Sequence, residues 1–96
     1  MKNWTASDYA EKLHITQHHL NLISKGVTGK TTSELLRARS VLEAKRLLTF
    51  TDAPVSAIAA DLGFYDVSYF AKIFKSETQQ SPTVFRKAMS EKYRNL

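Results

Sequence analysis

His14 and His18 stand four residues apart, the spacing at which two imidazoles on one helix can hold a zinc ion. The rest of that chemistry is missing. His14 falls in a predicted turn, the chain has no cysteine, and no acidic side chain is suitably placed. Asp8, Asp61 and Asp66 read most simply as helix-end residues, and nothing resembles a phosphate loop or a nucleophile–base pair. No metal, cofactor or catalytic site is therefore expected, and the chain does not read as an enzyme. Charge and hydrogen bonding remain. Fourteen Lys and Arg against nine Asp and Glu give a net charge of +5 and a sequence pI near 9.6. That excess favours a polyanion as partner, nucleic acid ahead of an acidic membrane surface.

The basic groups are patterned. In GFYDVSYFAKIFK, residues 63–75, Phe70, Ile73 and Phe74 recur at i, i+3 and i+4 and so share the inner side of one helix, against Ile58 and Leu62. The opposite side carries Ser68, Ala71, Lys72 and Lys75 at i, i+3, i+4 and i+7, with no acidic residue among them. The rings anchor the helix and the other face is kept for a partner. A membrane-surface role would need apolar rings along the basic side, which this pattern contradicts.

The elements that must position this face are all helices. The 96 residues are 43% hydrophobic and 24% charged, no apolar run approaches the ~20 residues that span a bilayer, and MKNWTASDY lacks a signal-peptide layout. Zero cysteines excludes disulfides, and a cytoplasmic protein is expected. Thr5 with Asp8 offers a helix start, followed by Tyr9, Ala10 and Leu13; Thr16 caps a second helix with Leu20, Ile23 and Val27 on its inner side. Gly26 and Gly29 are stop signals. Thr31 and Glu34 form a capping box for a long helix over 33–50, roughly 27 Å at ~1.5 Å per residue, with Leu35, Ala38, Val41, Leu42 and Leu48 on its apolar stripe. Pro54 ends it, a short helix runs from Val55 to Leu62, Asp66 caps the next, and Ser81-Pro82 opens the last over 82–93.

The two halves repeat. At an offset of fifty, Leu20 meets Phe70, Ile23 meets Ile73, Lys25 meets Lys75 and Thr31 meets Ser81; upstream, Ala10 meets Ala59 and Leu13 meets Leu62 at forty-nine, so the second turn holds one extra residue. Each half is a short helix, a tight turn and a longer helix, a helix-turn-helix over 5–29 and again over 55–79. The first unit's face matching Ser68, Ala71, Lys72 and Lys75 is His18, Asn21, Leu22 and Lys25. In a helix-turn-helix such a face is presented to the major groove.

These residues resemble the AraC/XylS family of bacterial transcription regulators. The most specific signature is Ile58-Ala59, Gly63-Phe64, Asp66, Ser68-Tyr69-Phe70 and Phe74-Lys75, continued by Ser81-Pro82 and Phe85-Arg86; LEAKRLL and the first unit also fit. The resemblance covers about Thr5 to Lys87. It implies an all-α DNA-binding domain in which two homeodomain-like helix-turn-helix units hang on a long central helix, with recognition helices in successive major grooves. Base-reading positions then fall on His18, Asn21, Leu22, Val67, Ser68, Ala71 and Lys72, and phosphate contacts on Lys25, Lys30, Thr31, Arg39, Lys75 and Ser81. The chemistry is compatible: Asn21 with an adenine edge, His18 or Lys72 with guanine, Leu22 or Val67 with a thymine methyl.

Three departures stand out. Only Met1-Lys2-Asn3-Trp4 precedes Thr5, where the family has another helix and often an effector or dimerisation domain, so the chain is expected to be the carboxy-terminal piece of a longer regulator. Gln79 replaces a usual glycine, and Ser24 stands where an aromatic residue is common, opposite Phe74, which predicts a less firmly seated first recognition helix. The expected function is sequence-specific binding of double-stranded DNA and regulation of transcription, as an activator in the full-length form. The competing reading is a helical protein-interaction module contacting RNA polymerase or a partner regulator, with an exposed apolar patch and salt-insensitive association.

Overall fold

The computed structural model describes residues 4–94 as six helices: α1 Ala6–Lys12, α2 Gln17–Thr28, α3 Thr32–Phe50, α4 Val55–Asp61, α5 Val67–Thr78 and α6 Pro82–Arg94. No strand occurs among the described residues; Met1, Lys2 and Asn3, part of the segment read for a leader, lie outside them. The chain divides between Arg39 and Ser40 into two compact units, so the long helix contributes its first turns to one and the remainder to the other.

Side-chain caps set most of the boundaries. Thr5 and Asp8 close a reciprocal capping box on α1, the Thr16 hydroxyl accepts the His19 N–H at 3.0 Å, and an Asp66 carboxylate oxygen accepts the Ser68 N–H at 2.8 Å. Thr31 and Glu34 bond in both directions, which makes Thr31 the cap and starts α3 at Thr32, one residue earlier than the sequence suggests. Ser81 accepts the Val84 N–H at 3.2 Å with Pro82 in the first helical position, where a missing N–H costs nothing.

The residue 40–96 unit has a continuous core of Val41, Ala44, Leu48, Ile58, Ala59, Leu62, Phe70 and Phe74, with Phe64, Ile73 and Phe85 packed against it. Leu42, assigned to the α3 stripe, is 68% exposed, and Leu35 is exposed as well. Val41, Ala44 and Leu48 already fill the inward line at i, i+3 and i+7, and each residue step turns the helix by about 100°. Arg86 closes the far end of α3: its guanidinium donates to the Leu48 carbonyl at 3.1 Å and to the Thr51 carbonyl at 3.3 Å. A cation there satisfies orphan carbonyls and complements the helix dipole.

The residue 1–39 unit is thinner. Its buried hydrophobics are Ala6 and Ala10, with Trp4 set edge-on to Tyr9 at 4.9 Å. No residue of α2 is buried. Ile23 and Val27, expected on its inner side, are 49% and 82% exposed, and Leu20 is only half-buried. Gly26 does not stop the helix; α2 runs on to Thr28 and ends at Gly29, which takes the left-handed conformation at φ 80°.

Candidate nucleic-acid interface

The turns of the two helix-turn-helix units are built on the same backbone hydrogen bonds. In the first turn the Leu13, His14 and Ile15 amides donate to Tyr9, Glu11 and Ala10 carbonyls; in the second the Leu62, Gly63 and Phe64 amides donate to Ile58, Ala60 and Ala59. His14 and Gly63 both have positive φ, 59° and 89°. Both second helices end alike. Gly29 and Gln79 sit left-handed and donate to Lys25 and Lys75 at 2.8 Å, while Thr28 and Thr78 hydroxyls bond the carbonyls of Lys30 and Gln80. Gln79 therefore holds the strained conformation that its place as a glycine substitute implies, at φ 68°.

What seats each second helix differs. Phe64, Phe70, Phe74 and Phe85 form a chain of rings with centroids 5.2, 5.9 and 5.4 Å apart, and Phe70 and Phe74 of α5 are essentially fully buried. At the position matching Phe74, the Ser24 hydroxyl instead donates to the Lys30 carbonyl at 2.9 Å. Asn21 adds a second clip, its side-chain oxygen accepting the Thr32 N–H at 3.1 Å. A backbone donor of α3's first turn, which has no partner within its own helix, is thereby satisfied.

His18, Leu22 and Lys25 on α2, and Val67, Ser68, Lys72 and Lys75 on α5, are exposed. Asn21 and Ala71 lie half-buried at equivalent positions. Pairing with an adenine edge uses both the oxygen and the nitrogen of an Asn side chain. Because Thr32 engages the Asn21 oxygen, the structure gives this residue a task inside the fold that its spacing did not reveal. Thr31 and Ser81 are half-buried caps with their hydroxyls committed to α3 and α6, while Lys30 and Arg39 are exposed. Helix α2 contains no acidic residue, and in α5 the acidic residue is Glu77, near its far end. Both exposed faces are therefore positive or neutral. The roles of Asn21 and Arg86 were invisible in the sequence because their partners are 11 and 35 to 38 residues away. His14 belongs to the first turn rather than to the α2 face, and the described residues hold no cluster of His, Cys, Asp and Glu suited to a metal.

No helix of the described residues is long and apolar enough to cross a membrane. A helix-turn-helix domain family matches residues 9–88. An uncharacterized HTH-type transcriptional regulator, YisR of Bacillus subtilis, is 34% identical over 88 residues, which is 92% of this chain and 31% of YisR. The HTH-type transcriptional activator RhaR of Cronobacter sakazakii is 33% identical over 78 residues, 81% of this chain and 28% of RhaR. The chain thus spans less than a third of the length of these relatives. Among solved structures, the C-terminal domain of the two-component response regulator yesN from Fusobacterium nucleatum superposes with a TM-score of 0.82 at 32% identity, over 86% of this chain and 81% of that one. The chain belongs to the AraC-type helix-turn-helix family of DNA-binding transcriptional regulators.

Proposed function

We propose that the chain binds double-stranded DNA sequence-specifically through α2 and α5 in successive major grooves, as the DNA-binding part of a longer cytoplasmic regulator that activates transcription. The observation that carries this reading is the duplicated turn and helix end, each copy presenting an exposed face without acidic residues. His18 and Leu22 of α2 and Val67, Ser68 and Lys72 of α5 read bases in this scheme; Ala71 lines the closest approach, and Asn21 offers its amide N–H while its oxygen holds α3. Lys25, Lys30, Arg39 and Lys75 neutralise phosphates, and Thr31 and Ser81 present the capped starts of α3 and α6 to the backbone. Both units lie in one chain in tandem, so a single copy reads an asymmetric site. An effector or dimerisation domain elsewhere in the natural protein completes the regulator.

The test is selection from random duplexes followed by fluorescence anisotropy at several salt concentrations. Enrichment of a site about two helical turns long is expected, with log affinity falling against log salt at about −0.9 per phosphate neutralised. Lys75→Ala should make that slope shallower by about 1, whereas Lys72→Ala should chiefly reduce discrimination between sites. Failure to enrich any sequence at low salt would defeat the proposal. A second reading, contact with RNA polymerase or a partner regulator, draws on Leu42, Phe50 and Tyr93, exposed around one shallow hollow of the residue 40–96 unit. It predicts association that salt leaves unchanged.

A further inference from the structure

Tyr65 is the residue by which the second turn exceeds the first. The backbone bonds of the two turns correspond at an offset of 49 through Ile15 and Phe64, and at 50 from the caps Thr16 and Asp66 onward. One residue of the second unit has no counterpart, and it is Tyr65. The turn is complete without it: Phe64 donates its amide to Ala59 at 2.9 Å and packs on Phe70, and Asp66 caps α5. Tyr65 is fully exposed, at 108% of its reference area, with no hydrogen bond or ring contact to the described residues.

Large aromatic side chains usually gain from burial, and a tyrosine combines an apolar ring with a polar tip suited to a boundary. Here the fold takes nothing from that ring. It stands one residue ahead of the α5 cap, beside the exposed Val67 and Ser68 that lead the helix. Of those two leading residues Ser68 offers a side-chain donor and Val67 none, and the next donor on the face, Lys72, lies a turn further along the helix. We propose that Tyr65 contacts the DNA backbone, its phenolic hydroxyl donating a hydrogen bond to a phosphate oxygen beside the groove that α5 occupies. This rests on the DNA-binding reading of α5. A neutral donor of this kind fixes register without reading a base. It also displaces no counterion, so its contribution does not fade with salt as a lysine's does.

The experiment compares the unaltered chain with Tyr65→Phe and Tyr65→Ala on a selected duplex at three salt concentrations. Both variants should fold and melt as the parent does, because nothing packs on the ring. Each is expected to bind about three- to ten-fold more weakly, the loss of one hydrogen bond, with the salt slope unchanged. A methylphosphonate scan should find one phosphate at which the substitution weakens the parent but leaves Tyr65→Phe unaffected. If both variants bind like the parent, the Tyr65 contact is wrong while the DNA-binding reading stands. Loss in Tyr65→Ala but not in Tyr65→Phe would assign the contact to the ring and overturn the phosphate donor. An unaltered chain that selects no duplex sinks the underlying reading itself.

Discussion

The two recognition helices share turn geometry, length and a left-handed end, yet α5 is seated by rings and α2 by hydrogen bonds. Phe70 and Phe74 of α5 are buried, whereas α2 buries no residue and is tied by Asn21 to Thr32 at the start of α3 and by Ser24 to the Lys30 carbonyl in the loop before it. Ring burial is a large, non-directional term, while a net hydrogen bond is worth only about 0.5–1.5 kcal/mol. The same backbone template therefore delivers two reading heads of different rigidity. The first is expected to adapt to its groove, and the second to arrive already formed.

The largest expected effect breaks the stronger seat. Phe74→Ala removes a fully buried ring that touches Phe70 and Phe85, and should cost about 3–5 kcal/mol, enough to threaten the fold of the residue 40–96 unit. Ser24→Ala, at the matching position, should cost only about 0.5–1.5 kcal/mol. Urea denaturation followed by amide exchange in each unit measures both. Equal losses at the two positions would show that α2 is held by something other than its polar clips.

Asn21→Ala comes next. Removing the acceptor leaves the half-buried Thr32 N–H without its side-chain partner, a loss of about 1–3 kcal/mol that should appear as faster exchange of the Thr32 amide. If Asn21 works mainly as a clip, base preferences across the first half-site should weaken together. Asn21→Asp, which keeps an acceptor, should restore Thr32 protection. Relaxed preference at one base pair, with Thr32 exchange unaltered, would instead make Asn21 a reader of that base and remove one of the two clips from the comparison.

How far the sequence reveals this asymmetry depends on the range of the interactions involved. Caps are local, so Thr5, Thr16, Thr31, Asp66 and Ser81 were legible from their own neighbours. The ring seat was legible too, because Phe70, Ile73 and Phe74 fall on one side of a helix whatever it packs against. The opposite held for Ile23 and Val27. Periodicity assigns them an inner side, but the first unit has no matching apolar surface to cover them. Gly26 misled for a related reason: glycine lowers helix propensity by only about 1 kcal/mol, and the Thr28–Gly29 end signal two residues on prevails. The substitution of Ser24 for a ring foretold a looser first helix, though not the carbonyl it would find at Lys30.

The smallest effects concern the two glycines of α2 and its end, with Gln79 at the matching end of α5, and they sharpen the comparison by their signs. A Cβ at Gly26 would meet nothing within 4 Å, so Gly26→Ala should stabilise α2 by about 0.5–1 kcal/mol through lost freedom in the unfolded chain. At Gly29 there is equal space, but φ is +80°, and an added Cβ should destabilise by about 1 kcal/mol. Gln79 already bears that strain at the same place in the second unit, so Gln79→Gly should gain stability by up to about 1 kcal/mol, less what the Gln79 side chain's bond to the Ser76 carbonyl contributes. Thermal melts of the three variants give the signs, and duplex affinity separates stability from function. A stabilised Gly26→Ala that binds DNA as before would mean the looseness of α2 is incidental. A stabilised variant that binds more weakly would mean either that the groove approaches Gly26 too closely for a methyl group or that α2 must bend to fit. Anisotropy with shortened duplexes covering only the second half-site tells these from a global defect, because neither cause acts through α5.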